Sequence, residues 1–110
     1  MTPKKKTSDR KRTPFPREVI YAKDFPDDWD RLEHSGKHDM NRIKEVISLL
    51  VMNNGPLPPE WRDHKLTGPF EGIRECHVKG DLLLVYQIGK KSYCEVVVFL
   101  NVGTHSEIFG

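Results

Sequence analysis

The chain has 110 residues, 36% of them hydrophobic, with a formal net charge of +2 and two cysteines. That length suits one domain, with a core that removes roughly two-thirds of the unfolded chain's surface from water. No apolar run approaches the ~20 residues of a membrane-spanning helix. Cys76 and Cys94 fall in apolar, strand-like segments where a reduced thiol packs as a small hydrophobe, which excludes a disulfide scaffold and a zinc ribbon.

Charge is unevenly spread. Residues 1–17 hold seven basic residues against Asp9 alone, a balance of +6, while the remainder carries −4. Residues 1–16 therefore read as a basic arm without structure, its gaps filled by Thr, Ser and Pro. Such an arm is either a solvated tail or a seeker of phosphate backbones. It is too polar for a secretory signal, so the expected location is cytoplasmic.

The folded domain is expected over residues 17–110. Glu18 to Ala22 is short and rich in β-formers, a first strand. A helix should start at Phe25 and Pro26, with aspartates in its first turn and Phe25, Trp29 and Leu32 on its buried face; Ser35 and Gly36 end it. Met40, Ile43, Val46, Ile47, Leu50 and Val51 form the stripe of a second helix, stopped by Asn53, Asn54 and Gly55. The two should make an αα-hairpin.

Pro56, Pro58 and Pro59 force an irregular connection. Three β-runs follow, Ile73 to Val78, Leu82 to Ile88 and Tyr93 to Val102. They are separated by hairpin turns at Lys79-Gly80 and Gly89-Lys90-Lys91. The last two runs are apolar on both faces, as strands central to a sheet are. The order β-α-α-β-β-β, with a short tail from Thr104, is an α+β domain with a mostly antiparallel sheet.

No phosphate-binding glycine loop, nucleophile elbow or His-Glu-x-x-His pair is present. Chemistry must come from histidines, of which there are five. His64, His77 and His105 have polar neighbours in the C-terminal half, and Asp81 follows the first hairpin turn. Histidines on one surface with a carboxylate and cations suit RNA transesterification. One group takes the proton of a 2′-hydroxyl, another protonates the leaving 5′-oxygen, and cations stabilise the phosphate. That reaction needs no metal, and the histidine spacing does not match a zinc site. A two-residue turn at Lys79-Gly80 would pair His77 with Leu82 and turn His77 and Asp81 to opposite faces; they can share one site only if the sheet edge twists, the turn is bulged, or Asp81 reaches around the hairpin end.

Three ordered motifs resemble the YafQ-type toxins of the RelE/ParE superfamily. They are Asp63-His64-Lys65-Leu66 running on to Arg74-Glu75-Cys76-His77-Val78, then Asp81 to Tyr86, then Gly103-Thr104-His105-Ser106-Glu107-Ile108-Phe109-Gly110. The resemblance covers residues 17–110 and implies a RelE-like fold with the sheet packed against the αα-hairpin. It implies a cofactor-free, ribosome-dependent mRNA endoribonuclease that cuts at the decoding site beside 16S rRNA. A cognate antitoxin would neutralise it, and operator DNA would be bound only in complex with that antitoxin. It places His64, His77, Asp81, His105 and Phe109 on active-site positions. His105 would be the general acid, Asp81 or His64 the general base, His77 a phosphate contact, and Phe109 a base-stacking or buttressing ring.

Two positions depart from the pattern. Asn101 stands where an arginine is common, and Leu82 where an aromatic often follows the aspartate. Asn101 should share the face of Gly103 and approach His105, yet its amide carries no charge, so Arg74, Lys79 or Lys65 would have to serve the phosphate. Two other readings compete: a ParE-like inhibitor of DNA gyrase, which needs no proton-transfer groups, and a catalytically impaired ribosome- or RNA-binding module.

Overall fold

The computed structural model describes residues 15–110. Most of the expected basic arm, residues 1–14, lies outside the described residues. The elements in chain order are β1 (Glu18–Tyr21), α1 (Phe25–Ser35), α2 (Met40–Met52), β2 (His64–Lys65), β3 (Arg74–Lys79), β4 (Leu82–Lys90), β5 (Glu95–Thr104) and α3 (His105–Phe109). Single 3-10 turns at Pro59–Trp61 and Gly68–Phe70 shape the connection between α2 and β3.

Local chemistry sets the helix ends. Pro26 sits in the first turn of α1, with Asp27 and Asp28 beside the positive end of the helix dipole. Asp39 caps α2 by accepting the Arg42 N–H at 3.2 Å, and Asn53 closes it in the left-handed region at φ 58°. Buried Phe25 and Leu32 of α1 join Ile43, Val46 and Leu50 of α2 in a single core. Against them lie Cys76, Leu84, Tyr86, Val97, Phe99 and Val102 from the sheet. Full burial of each aliphatic side chain is worth about 1.5–3 kcal/mol. Both cysteines are free, and burial pushes the Cys76 thiol up to about 12. It packs as a neutral hydrophobe.

The sheet has five strands in the order β1-β5-β4-β3-β2. Only β1 runs parallel to its neighbour, with Glu18 opposite Val96 and Tyr21 opposite Phe99. Leu82 to Tyr86 of β4, the central strand, are all buried, as their two-sided apolar pattern requires. β1 stops at Tyr21 while β5 continues, so among the described residues no strand pairs Val102 on that edge. Instead, α1 serves it: the Val102 N–H donates to Asp28 Oδ2 at 3.1 Å, and the Val102 carbonyl accepts from Arg31 Nη2 at 3.4 Å.

Three features differ from the sequence reading. β4 runs on to Lys90, opposite Glu95, so Gly89 and Lys90 stay in the strand. The turn is Lys91 to Cys94, closed by the Lys91 N–H on the Cys94 carbonyl at 2.8 Å, and Cys94 belongs to it rather than to β5. His64 and Lys65 form an unexpected strand on the edge of β3. The C-terminal tail is helical: the Thr104 hydroxyl accepts the Glu107 N–H at 3.3 Å while Glu107 Oε1 accepts the Thr104 N–H at 2.8 Å, a capping box.

Candidate active site

Pairing across the ladder puts opposed residues on the same face. One row reads His64, Glu75, Val85 and Asn101; the next reads His77, Leu83 and Gly103. His64, Glu75 and His77 therefore share the face away from the helical core, and β5 delivers the chain to His105 at the same end. His77 and Gly103 are two strand spacings apart, about 10 Å.

The first hairpin is bulged. Its turn residues are Gly80 and Asp81, Lys79 lies opposite Leu82, and His77 lies opposite Leu83, leaving Val78 as the extra residue. Gly80 takes φ 57°, the conformation such a turn asks of a glycine. The bulge is braced from α2, where Arg42 Nε donates to the Val78 carbonyl at 3.0 Å. The same guanidinium lies 3.8 Å over the buried Trp61 ring and pairs with Glu60 at 2.9 Å. One arginine thus ties the bulge beside His77 to the turn that leads into His64.

His64 is held on both ring nitrogens. Nδ1 lies 2.8 Å from the Arg62 carbonyl, and Nε2 lies 3.1 Å from the nearly buried Glu75 carboxylate. A neutral ring donates to one of these acceptors; an imidazolium donates to both. The His77 ring centroid is 5.9 Å from that of His64. His77 also opens, with Arg62 and Lys79, onto a cleft of about 450 Å³ beside the N-terminus of α2. Donor atoms of His64, Glu75 and His77 all lie within 4.8 Å of one another, so two imidazoles and a carboxylate could hold a divalent transition-metal ion there.

His105 opens α3 and is exposed. Its ring lies 5.1 Å from Phe109, one turn on, and Phe109 meets Phe70 edge to face at 5.4 Å. Glu107 anchors the turn: beyond the capping box, its carboxylate takes Arg31 Nε at 3.2 Å. The Thr104 N–H first, then Arg31, hold the Glu107 carboxyl below its ordinary value. A Cβ on Gly103 would come within 2.9 Å of that carboxylate and 3.0 Å of Arg31. Glycine is what lets α3 fold back so closely.

Several expected substrate contacts face elsewhere. Arg74 turns to the core side, where Nη2 binds Asp63 at 2.6 Å and Nε reaches the Tyr86 hydroxyl at 3.3 Å; Tyr86 in turn donates to Asp63. Lys65 lies opposite Arg74 and shares that side. Strand alternation separates both from His64 and His77. Asn101 keeps to the expected face, but its amide donates to Asp28 at 3.0 Å and is tied to α1. Asp81 is exposed on the turn, and Lys79 lines the cleft with His77.

Glu75, Arg62 and Phe70 escaped the sequence reading. Glu75 was findable, because it stands two residues from His77 on a strand and must share its face.

The chain matches, over residues 17–110, the family described as bacterial toxin of type II toxin-antitoxin system, YafQ. The mRNA interferase toxin YafQ of Escherichia coli K12 is 34% identical over 94 residues, covering 86% of this chain and 97% of its own. The toxin in the E. coli DinJ-YafQ complex superposes with a TM-score of 0.73 at 34% identity, over 86% of this chain and 99% of that one. A metal-bound toxin from Helicobacter pylori is similar with a TM-score of 0.72 at 35% identity, over 84% and 99% of the two chains. With its histidine face, its RelE-like sheet and this match along nearly the whole described chain, the protein belongs to the YafQ family of type II toxin–antitoxin toxins.

Proposed function

We propose that this chain is an mRNA endoribonuclease that acts in the cytoplasm on translating ribosomes, cutting mRNA at the decoding site. The observation that carries the reading is the clustering of His64, His77 and the approach to His105 at one end of one sheet face. The E. coli relative named as an mRNA interferase supports it.

The 2′-hydroxyl of the nucleotide before the cut attacks the adjacent phosphorus, the bond to the 5′-oxygen breaks, and a cyclic phosphate remains. Asp81, exposed on its turn, takes the hydroxyl proton, since His64 is engaged on both nitrogens. His105 protonates the leaving oxygen, with Phe109 packed at a tilt against its ring. His77 faces the phosphate with His64 packed beside it, and Lys79 adds charge from the cleft. One P–O bond forms as another breaks within the message itself, and the protein supplies only proton transfers and electrostatic contacts, so the scheme needs no cofactor.

A cognate antitoxin neutralises this protein, as the DinJ-YafQ pairing in E. coli supports. The basic arm adds salt-dependent affinity for ribosomal RNA.

Purified toxin and ribosomes programmed with a defined mRNA test the reading. The wild type should cut within the codon in the decoding site, and His105→Ala should fold normally yet cut about 10²–10⁴-fold more slowly. Equal cutting by both proteins would remove His105 from the mechanism, and intact mRNA with wild type would remove the activity.

A further inference from the structure

We propose that Phe70 supplies the open aromatic face on which a base of the bound mRNA stacks, while Phe109 serves His105; this rests on the nuclease reading above. Three rings run in contact at the end of the sheet, in the order Phe70, Phe109, His105. The middle ring, Phe109, touches both neighbours and is half-buried. Phe70 touches one of them and is 43% exposed. Of the two phenylalanines, Phe70 therefore has the surface left for a ligand.

The backbone under the ring is held in place: the Phe70 N–H donates to the Thr67 carbonyl at 3.4 Å at the end of a 3-10 turn, and the Ile73 N–H donates to the Phe70 carbonyl at 3.0 Å in the turn that follows, while contact with Phe109 restrains the ring. A pinned ring loses little freedom when a base lands on it. Its edge-to-face packing on Phe109, with an interplanar angle of 78°, fixes which way it presents its surface. Exposure alone would be no argument, since Tyr93 is 76% exposed. Tyr93, however, lies in the turn between Lys90 and Glu95, at the far end of the hairpin from His105. Phe70 is separated from the proton donor by one ring.

Aromatic stacking accepts any base, because every base offers a π face. The ligand class is thus a single-stranded nucleotide next to the scissile phosphate. Phe70 would help to set its position rather than take part in bond breaking.

The experiment uses two readouts. Binding to programmed ribosomes is measured in a His105→Ala background, so that it does not depend on cutting, and cleavage is measured in the native background. Phe70→Ala should weaken binding about tenfold, Phe70→Leu nearly as much, and Phe70→Trp should bind as wild type. Replacing one nucleotide of the decoded codon by an abasic residue should erase the binding penalty of Phe70→Ala at one codon position only. Wild-type binding by Phe70→Leu would mean that the residue merely packs on Phe109 and would overturn the proposal. So would a penalty that persists with every abasic codon, or a loss confined to antitoxin affinity, which would mark a protein contact. If wild type fails to cut while the Phe70 effect on binding holds, the nuclease reading falls and the stacking face stands. If cutting is intact and Phe70→Ala binds as wild type, the reverse is true.

Discussion

Neighbouring residues of β2 and β3 meet opposite fates. Arg74 faces the helical core, where it joins Asp63 and Tyr86 in a part-buried polar network. One residue along, Glu75 faces the other way and meets His64 and His77. Asp63 and His64 part in the same manner. A strand's two-residue period thus divides stability from chemistry between adjacent positions. Charge in the sequence around residues 63–77 says little about which side of the sheet a group serves; register decides it.

Substitutions on the two sides should separate cleanly. His77→Ala should slow cleavage on the ribosome about a hundredfold or more. Its unfolding free energy in urea should stay within about 0.5 kcal/mol of wild type. Arg74→Ala should do the opposite. Removing the guanidinium leaves the half-buried Asp63 carboxylate without its cation, costing about 1–3 kcal/mol of stability, while the cleavage rate of the folded fraction holds. A slow but fully stable Arg74→Ala would place that arginine on the phosphate after all.

A pH effect sharpens the contrast at the C-terminal end of β5. Glu107 is held below its ordinary value of 4.5 chiefly by the Thr104 N–H, so its ionised form stabilises the fold. That contribution is fully present above the ordinary value and is lost as pH falls through the lowered one. Protection of the α3 amides, taken relative to their intrinsic exchange rate at each pH, should therefore fall below about pH 4.5 before that of β3 does. Glu107→Gln should abolish the dependence. Equal loss of protection in both elements would mean that α3 is not separately anchored.

The smallest effect is expected at Asn101. With Asp28 Oδ2 at 3.0 Å, an arginine at this position finds a carboxylate of α1 before it finds a phosphate. Asn101→Arg should change single-turnover cleavage by about twofold or less, the scale of a solvent-reached ion pair. Acceleration of tenfold or more would show that the face of Asn101 opens onto the scissile phosphate.

Much of this architecture was legible in the residues. The Met40 to Val51 stripe, the Asn53 stop and the apolar runs of β4 and β5 are local signals, and the structure places a helix and two strands there. β2 was not legible, because two residues carry no period, and its partner is fixed only by tertiary pairing. The parallel match of β1 with β5 likewise depends on a contact spanning most of the chain. The helix α3 was within reach, for Thr104 and Glu107 stand at capping-box spacing. At the site, the histidines advertised themselves by type. Alternation from His77 puts Glu75 on the histidine face and Arg74 on the other, but the partners that hold Arg74 there, Asp63 and Tyr86, come only with the tertiary pairing.

At the centre of the proposed reaction a 2′-hydroxyl attacks its own phosphate under the control of side chains on the His64–His77 face. Single-turnover cleavage of a programmed mRNA with a 2′-deoxynucleotide at the cut position tests this directly. The deoxy message should stay intact while the all-ribose message is cut, leaving a 2′,3′-cyclic or 3′-phosphate and a 5′-hydroxyl. Cleavage of the deoxy message at an undiminished rate would mean that the nucleophile is water, and would contradict it.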